Sequence, residues 1–453
     1  MQQPNKIAAY LETVRQQIRW KKAQPPVLEE LENHLTDQKN AYISDGLDEE
    51  TAINNAVAEM GDPVIVGEQL DRTHRPRPDW PLLIMTAILL ILGLSIQFLI
   101  RSDIHNGTES FTKQVTWAAP AIIVLLMAYL LDFTIIGKYP KTIYLALMVI
   151  TMASYWSYRY VIGSTAIYPL LLFPTAFAGF VYSKRNKGYG GLTISVVAVI
   201  VPVLLALLIH NMTVLLLVGL SCLIILTVAI AKGWFNVSKL MALLILYLST
   251  GIASLILFLT LMSQAYFRDR LQVILNPLQG HTGWVGTVIR SFLYHSRLVG
   301  EGLPVSGYGS VFPLLSTANT NFLLTYMTYK FGWILFIGIM LLFAAFFVRS
   351  VIISQKQKSV LGQLVSLAVI LTVAMEIFTY IIANLGFLLV GPISLPLISY
   401  GGRALVTNMC LIGFLLSTFR TGNLFKDNVP VGKSNRLIKY ENGKIIIDLK
   451  LNG

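Results

Sequence analysis

The chain is short of charge. Only 13% of its 453 residues are Asp, Glu, Lys or Arg, while 55% are hydrophobic; a soluble globular domain carries about twice that share of charge. A water-soluble protein of this length is therefore excluded. Acid is scarcest where the chain is most apolar: 14 of its 23 Asp and Glu precede Trp80, six lie between Trp80 and Arg420, and three follow. Cysteine is nearly missing, and Cys222 and Cys410 both fall inside apolar runs, where they read as small packed side chains rather than disulfide or redox partners. No grouping of His, Cys and carboxylates has metal-ligand spacing, so no cofactor is expected. The start has no basic stretch, short apolar core and small-residue cleavage site, so the first apolar segment is expected to direct its own insertion.

What is present begins with a helical pattern over residues 4 to 75. Ile7, Leu11, Val14 and Ile18 recur at helical spacing, and Leu28, Leu31 and Leu35 follow Pro25-Pro26. Asp48 ahead of Glu49 and Glu50 predicts an N-cap, and Gly61-Asp62-Pro63 predicts one helix ending and another starting at Pro63. The pattern resembles the small helical prefix domain found ahead of Gram-positive membrane proteins, with Leu31, His34 and Leu35 and then Met60-Gly61-Asp62-Pro63. We read 1–75 as a cytosolic prefix domain, either a plain solvated bundle or a partner-binding one, and 76–79 as a stiff linker.

From Trp80 onward, ten segments are long and apolar enough to span a bilayer: about 80–100, 115–133, 140–157, 166–182, 190–209, 213–231, 239–264, 321–348, 360–383 and 400–420. The fold class expected is an all-α polytopic membrane protein with ten transmembrane helices over 80–420, plus the small soluble N-terminal domain. Alternate loops carry Lys138 and Lys141, then Lys184, Arg185 and Lys187, then Lys232 and Lys239, then Arg349, Lys356 and Lys358. A tail from 421 to 453 is basic too, which predicts both termini in the cytoplasm. The net charge of +12 is thus a topology signal, and no nucleic-acid partner is expected. A large outer loop, 265–320, follows from the same orientation. Glu376 falls inside a span, where an acid serves either a helix-to-helix hydrogen bond or a polar cavity.

Ordered blocks resemble one family. They are Leu131-Asp132-Phe133 with Lys138-Tyr139, Arg159-Tyr160-Val161 with Tyr168-Pro169, and Tyr266-Phe267-Arg268-Asp269-Arg270 with Leu275-Asn276-Pro277. The most specific is Asn384-Leu385-Gly386 followed by Ile393 to Gly402, reading Ile-Ser-Leu-Pro-Leu-Ile-Ser-Tyr-Gly-Gly. Together they are similar to the SEDS proteins (shape, elongation, division and sporulation) of the FtsW, RodA and SpoVE type. Pro396 and Gly401-Gly402 predict a re-entrant or broken segment, tolerated where it lines a cavity.

The resemblance implies a bacterial plasma-membrane protein of cell-wall synthesis in division, elongation or sporulation. It implies peptidoglycan glycan-strand polymerisation from undecaprenyl-pyrophosphate-linked lipid II, beside a class B penicillin-binding protein. Such chemistry needs a base for the acceptor hydroxyl and cations for the departing pyrophosphate. Arg159, Arg268, Arg270, Arg290 and Arg297 supply outer-face cations; any divalent ion would be held mainly by the donor's phosphates. Substrate contact is expected from Arg159, Tyr160, Arg268, Arg270, Asn319, Thr320, Ser399, Tyr400, Gly401 and Gly402.

The base is where the chain departs. The family's Pro-Glu-x-His-Thr-Asp-Phe run, whose Asp is the presumed catalytic carboxylate, is matched by Ser316, Thr317, Asn319, Thr320, Asn321 and Phe322. An amide orients a hydroxyl but cannot take its proton at neutral pH. The family's paired Glu of the eighth span appears as Tyr329-Lys330. Three readings stay open. A polymerase could use another outer acid, of which Glu301, between two glycines, suits the role better than Asp269, whose flanking arginines favour an ion pair. A non-catalytic relative could bind lipid II or regulate a penicillin-binding protein. A flippase for the lipid-linked precursor is the third.

Overall fold

The computed structural model describes residues 6–21, 23–76, 78–104, 106–158, 165–265, 267–268, 271–272, 284–308, 312–314, 317–388, 391–422, 438–441 and 444–447. The chain divides into two units, Met1–Asp79 with Arg420–Phe425, and Trp80–Phe419 with Lys426–Gly453.

The N-terminal unit is built from α1 (Lys6–Gln17), α2 (Gln24–Ser44), α3 (Glu49–Met60) and α4 (Pro63–His74). The caps are those the composition calls for. Asp48 accepts Thr51 N at 3.1 Å, and Asp62 accepts Val64 N at 2.7 Å and Ile65 N at 3.3 Å, with Pro63 in the first turn where no N–H is needed. Val14 and Ile18 join Val27, Leu31 and Leu35 in its core, with Ile7, Leu11 and Leu28 packed at the margin.

The second unit begins with α5 (Trp80–Leu99), α6 (Gly107–Leu130), α7 (Thr134–Lys138), α8 (Pro140–Tyr158), α9 (Ile167–Leu171) and α10 (Phe173–Lys184). It continues through α11 (Gly188–Leu208), α12 (Met212–Ala231), α13 (Lys239–Met262), α14 (Trp284–Tyr294), α15 (Leu323–Phe331), α16 (Trp333–Gln355), α17 (Val360–Asn384) and α18 (Gly402–Thr421). In the tail, β1 (Ile438–Glu441) and β2 (Lys444–Ile447) pair antiparallel, with Ile438 opposite Ile447. Helix dominates because chain crossing a bilayer must satisfy its own backbone.

Among the described residues, eight helices are long and apolar enough to cross a membrane: α5, α6, α11, α12, α13, α16, α17 and α18. The ten segments expected from hydropathy differ from this at two places. The 140–157 segment is the 19-residue α8, whose last turns carry Ser154, Tyr155, Trp156 and Ser157 and dilute its apolarity. The 166–182 segment is interrupted at Leu172 and splits into α9 and α10, because Pro174 in the first turn of α10 has no N–H to continue the ladder. A further break, at Gly332, divides the 321–348 segment into α15 and α16. Gly332 sits at φ +100°, and a Cβ there would lie 2.4 Å from the Leu298 carbonyl oxygen, so only glycine fits.

Helix α17 forms the axis of this unit, buried along most of its length from Val360 to Asn384, whereas α13 buries only Ala242 and Leu246. An apolar helix left that open is one whose surroundings are lipid rather than water.

Candidate functional site

The site expected from sequence is a short turn, Thr317 to Phe322, entering α15. Its backbone is drawn inward onto one carbonyl: Thr320, Asn321 and Phe322 donate their N–H groups to Thr317 O at 3.2, 3.0 and 3.3 Å, and the Thr320 hydroxyl adds a fourth bond at 3.1 Å. The next carbonyls are then taken up one by one. Asn319 O accepts Tyr400 N at 2.8 Å and Gln97 Nε2 at 3.2 Å. Thr320 O accepts the Tyr380 hydroxyl at 2.6 Å, which itself accepts Leu323 N at 3.1 Å. Asn321 O accepts Asn384 Nδ2 at 2.9 Å.

Asn384 is the hub. Besides holding Asn321 O, its Nδ2 donates to Tyr380 O, and its Oδ1 accepts Thr325 N at 3.1 Å and the Thr325 hydroxyl at 3.0 Å. At 1% exposure none of these bonds competes with water, so each counts fully toward shape. The half-buried side chain of Asn321 has no hydrogen-bond partner among the described residues and is the group this scaffold presents.

The second wall is the segment between α17 and α18, non-helical as Pro396 and the glycines predicted. Ser399 closes it locally: its hydroxyl accepts Leu395 N at 2.9 Å and donates to Leu395 O at 3.2 Å. That hydroxyl is engaged within its own turn. Leu397 is held at φ +65°, costly for a leucine. Gly401 N donates to Gln114 Oε1 at 3.0 Å, and a Cβ on Gly402 would enter the Trp117 ring. Tyr400 contributes its backbone N–H to the turn and leaves its side chain half-buried. Asn319, Thr320, Asn321, Ser399, Tyr400, Gly401 and Gly402 are therefore brought together.

Two buried glutamines on apolar helices, Gln97 of α5 and Gln114 of α6, complete this clamp, and sequence reasoning missed both. Gln97 Nε2 bridges Asn319 O and, at 3.4 Å, Ile398 O. For Gln97 a lone amide in an otherwise apolar span is itself the signal, since it must find partners inside the protein, whereas Gln114 lies among the polar residues that open α6 and carries no such signal.

The acids lie elsewhere. Glu301 is exposed, in a strand of chain pinned to the far end of α15: Gly300 N donates to Phe331 O at 3.0 Å and Gly302 N to Tyr329 O at 2.8 Å. Helical rise puts Tyr329 about 12 Å along α15 from Asn321. Asp103, between α5 and α6, reaches the same helix, where Lys330 forms an ion pair with it and the Tyr326 hydroxyl donates to it at 2.8 Å. Burial alone would raise its titration point. The hydrogen bonds from Lys330 and Tyr326, with the lysine's charge, outweigh burial and hold the carboxyl below the ordinary carboxylate range. An acid so saturated with donors is a poor proton acceptor. Arg290 of α14 runs beside Gly386, where a Cβ would meet its Cγ at 2.8 Å, and Arg268 is exposed. Arg159, Tyr160, Asp269 and Arg270 lie outside the described residues.

The Asp103 pair carries a pH prediction. Because the folded state lowers this titration point, the stability it contributes is complete above the unfolded value and is lost as pH falls through the folded one. The melting-temperature difference between the parent protein and Asp103→Asn should be constant above about pH 5 and shrink below about pH 4. A difference that grows on acidification would overturn the assignment.

These features define a polytopic helical membrane protein with a turn-and-broken-helix site at one end of its bundle. The family model described as "Cell cycle protein", of the FtsW, RodA and SpoVE type, matches residues 168–423, more than half of the chain, and the chain belongs to that family, the SEDS proteins. Curated relatives are described as "Probable peptidoglycan glycosyltransferase FtsW". That of Geobacter sp. (strain M18) is 26% identical over 161 residues, 34% of this chain and 42% of the relative. That of Geobacter metallireducens is 27% identical over 163 residues, 36% of this chain and 43% of the relative. The chain thus spans about two fifths of the length of the curated relatives it matches. A solved structure described as "Structural coordination of polymerization and crosslinking by a peptidoglycan synthase complex" is similar in fold, with a TM-score of 0.59 at 16% identity. That match covers 76% of this chain and 98% of the other.

Proposed function

We propose that the protein works at the outer face of the bacterial plasma membrane, with both termini in the cytoplasm, and polymerises peptidoglycan glycan strands from lipid II. A class B penicillin-binding protein is its partner in this reading. The observation that carries it is the docked turn. Buried side chains from α5, α6 and α17 hold Asn321 and Tyr400 in one place, and such a network is retained where a substrate must be oriented. Arg268, Arg270, Arg290 and Arg297 are the cations for the pyrophosphate, with Arg159 from a neighbouring loop. Any divalent ion would be bound chiefly by that pyrophosphate.

A second reading has its own observation. The family's acid position is an amide, and Asp103, an acid that reaches α15, is saturated by Lys330 and Tyr326. On that basis the chain binds lipid II, or regulates a penicillin-binding protein, without catalysing transfer.

Glycan polymerisation by the purified full chain with lipid II, with and without a class B penicillin-binding protein, separates the two. Polymer that falls at least tenfold in Glu301→Ala or Asp269→Ala supports the first reading and names its base. Polymer that survives both substitutions removes those acids. No polymer with any partner, together with saturable lipid II binding, favours the second reading. Asn321→Asp should raise a measurable rate by about 100-fold or more, or create one where the parent has none, if the position faces the acceptor hydroxyl.

A further inference from the structure

One helical turn before Tyr380 on α17 lies an acid that the site above does not use. Glu376 is 0% exposed, and no charged side chain pairs with it among the described residues. Its Oε1 accepts hydrogen bonds from the Ser394 hydroxyl and from Asn408 Nδ2, the latter at 3.3 Å. Asn408 Nδ2 also donates to Ala404 O at 3.2 Å, which fixes the amide's direction and leaves its Oδ1 as an acceptor. Glu376 Oε2 and Asn408 Oδ1 are both buried and have no hydrogen-bond partner among the described residues. Two adjoining side chains thus each offer an acceptor, and no donor among the described residues serves either.

We propose that Glu376, Asn408 and Ser394 form a binding site for a dehydrated monovalent alkali cation. The donor set is a carboxylate, an amide carbonyl and a hydroxyl, all hard oxygens of the kind that hold alkali and alkaline-earth ions. One carboxylate neutralises one positive charge. A divalent ion would leave a net charge at membrane depth, where it is costly. The three residues come from α17, α18 and the non-helical segment joining them, and broken helices with their unwound backbone are where membrane proteins place such ions. A bound ion would tie Ser394 to both helices. Ser394 directly precedes Leu395, whose turn carries Tyr400 to Asn319, so occupancy would stiffen the wall of the candidate site. The proposal is independent of whether the chain polymerises glycan.

The test uses the full chain in detergent or nanodiscs, with NaCl or KCl exchanged against choline chloride at constant ionic strength. The melting temperature should rise saturably with Na+ or K+ and not with choline. Glu376→Gln should fold, since its amide can donate to Asn408 Oδ1 while its carbonyl keeps the Ser394 bond. That variant should move the midpoint of the ion response by about tenfold or more, the loss of a charged ligand. Asn408→Ser should shift it in the same direction. If Glu376→Gln does not express, radiolabelled Na+ binding to the parent protein, at one ion per chain, stands in its place. A melting temperature indifferent to Na+ and K+ but dependent on pH would overturn the proposal in favour of a neutral Glu376 donating to Asn408. An ion response unchanged in both variants would place any ion elsewhere and overturn it equally.

Discussion

Asn384→Leu is expected to destabilise the protein by roughly 3–5 kcal/mol, seen as a large fall in melting temperature in detergent and a loss of monodisperse material. Leucine keeps the branched skeleton but is bulkier, so overpacking adds to the loss of hydrogen bonding. It would strand Asn321 O and Thr325 N, both of which Asn384 serves from a position 1% exposed. A buried group left unpaired costs about 1–3 kcal/mol, and two in one network do not add fully. Thr325→Val removes a hydroxyl whose bonds go to Asn384 alone and should cost only about 1 kcal/mol. If Asn384→Leu proved no worse than Thr325→Val, the hub would not be holding the turn. With the turn released, whatever lipid II binding or polymerisation the parent shows should fall below detection.

Gly93→Ala is the second large effect, expected at about 3 kcal/mol from a single methyl group. A Cβ at Gly93 would lie 2.3 Å from Leu397 O and 2.8 Å from Ile398 Cα. Both are backbone atoms, in a loop already strained at Leu397, so no side chain can rotate away. Helix α5 would have to retreat, taking with it Gln97 and its bonds to Asn319 O and Ile398 O. Gly219→Ala supplies the contrast, since a Cβ there meets nothing within 4 Å. Helix propensity then makes that change neutral or stabilising by about 0.5–1 kcal/mol. Equal melting temperatures for the two variants would show that α5 does not press on the loop.

The parts of this arrangement that were legible beforehand are those governed by local chemistry. Asp48 and Asp62 announce helix starts because their side chains cap their own neighbours. The Ile393 to Gly402 block announces a break because proline and paired glycines cannot sustain a helix there. The two points where hydropathy misjudged the spans also have local causes, in the polar last turns of α8 and in Pro174, as does the further break at Gly332, all of which a window average smooths over. What stayed hidden is what depends on distant chain meeting. Gln97 and Asn319 are 222 positions apart, and nothing about an isolated glutamine says which carbonyl it will serve. Lys330 could be seen to replace a family acid, yet its partner Asp103 belongs to a loop 227 positions earlier. The substitution at Lys330 looked like loss of an acid at a site. In the fold it is one half of a pair.

The clamp around Asn321 is assembled wholly from uncharged groups: two glutamines, an asparagine, a tyrosine, a threonine and peptide units. Apart from the ion proposed at Glu376, its hydrogen bonds should therefore respond little to the salt or acidity of the medium. The Asp103–Lys330 pair at the other end of α15 is the opposite case, open to both screening and protonation. One short helix thus joins an end held by uncharged hydrogen bonds to an end held by an ion pair, and the two should answer differently to salt and pH.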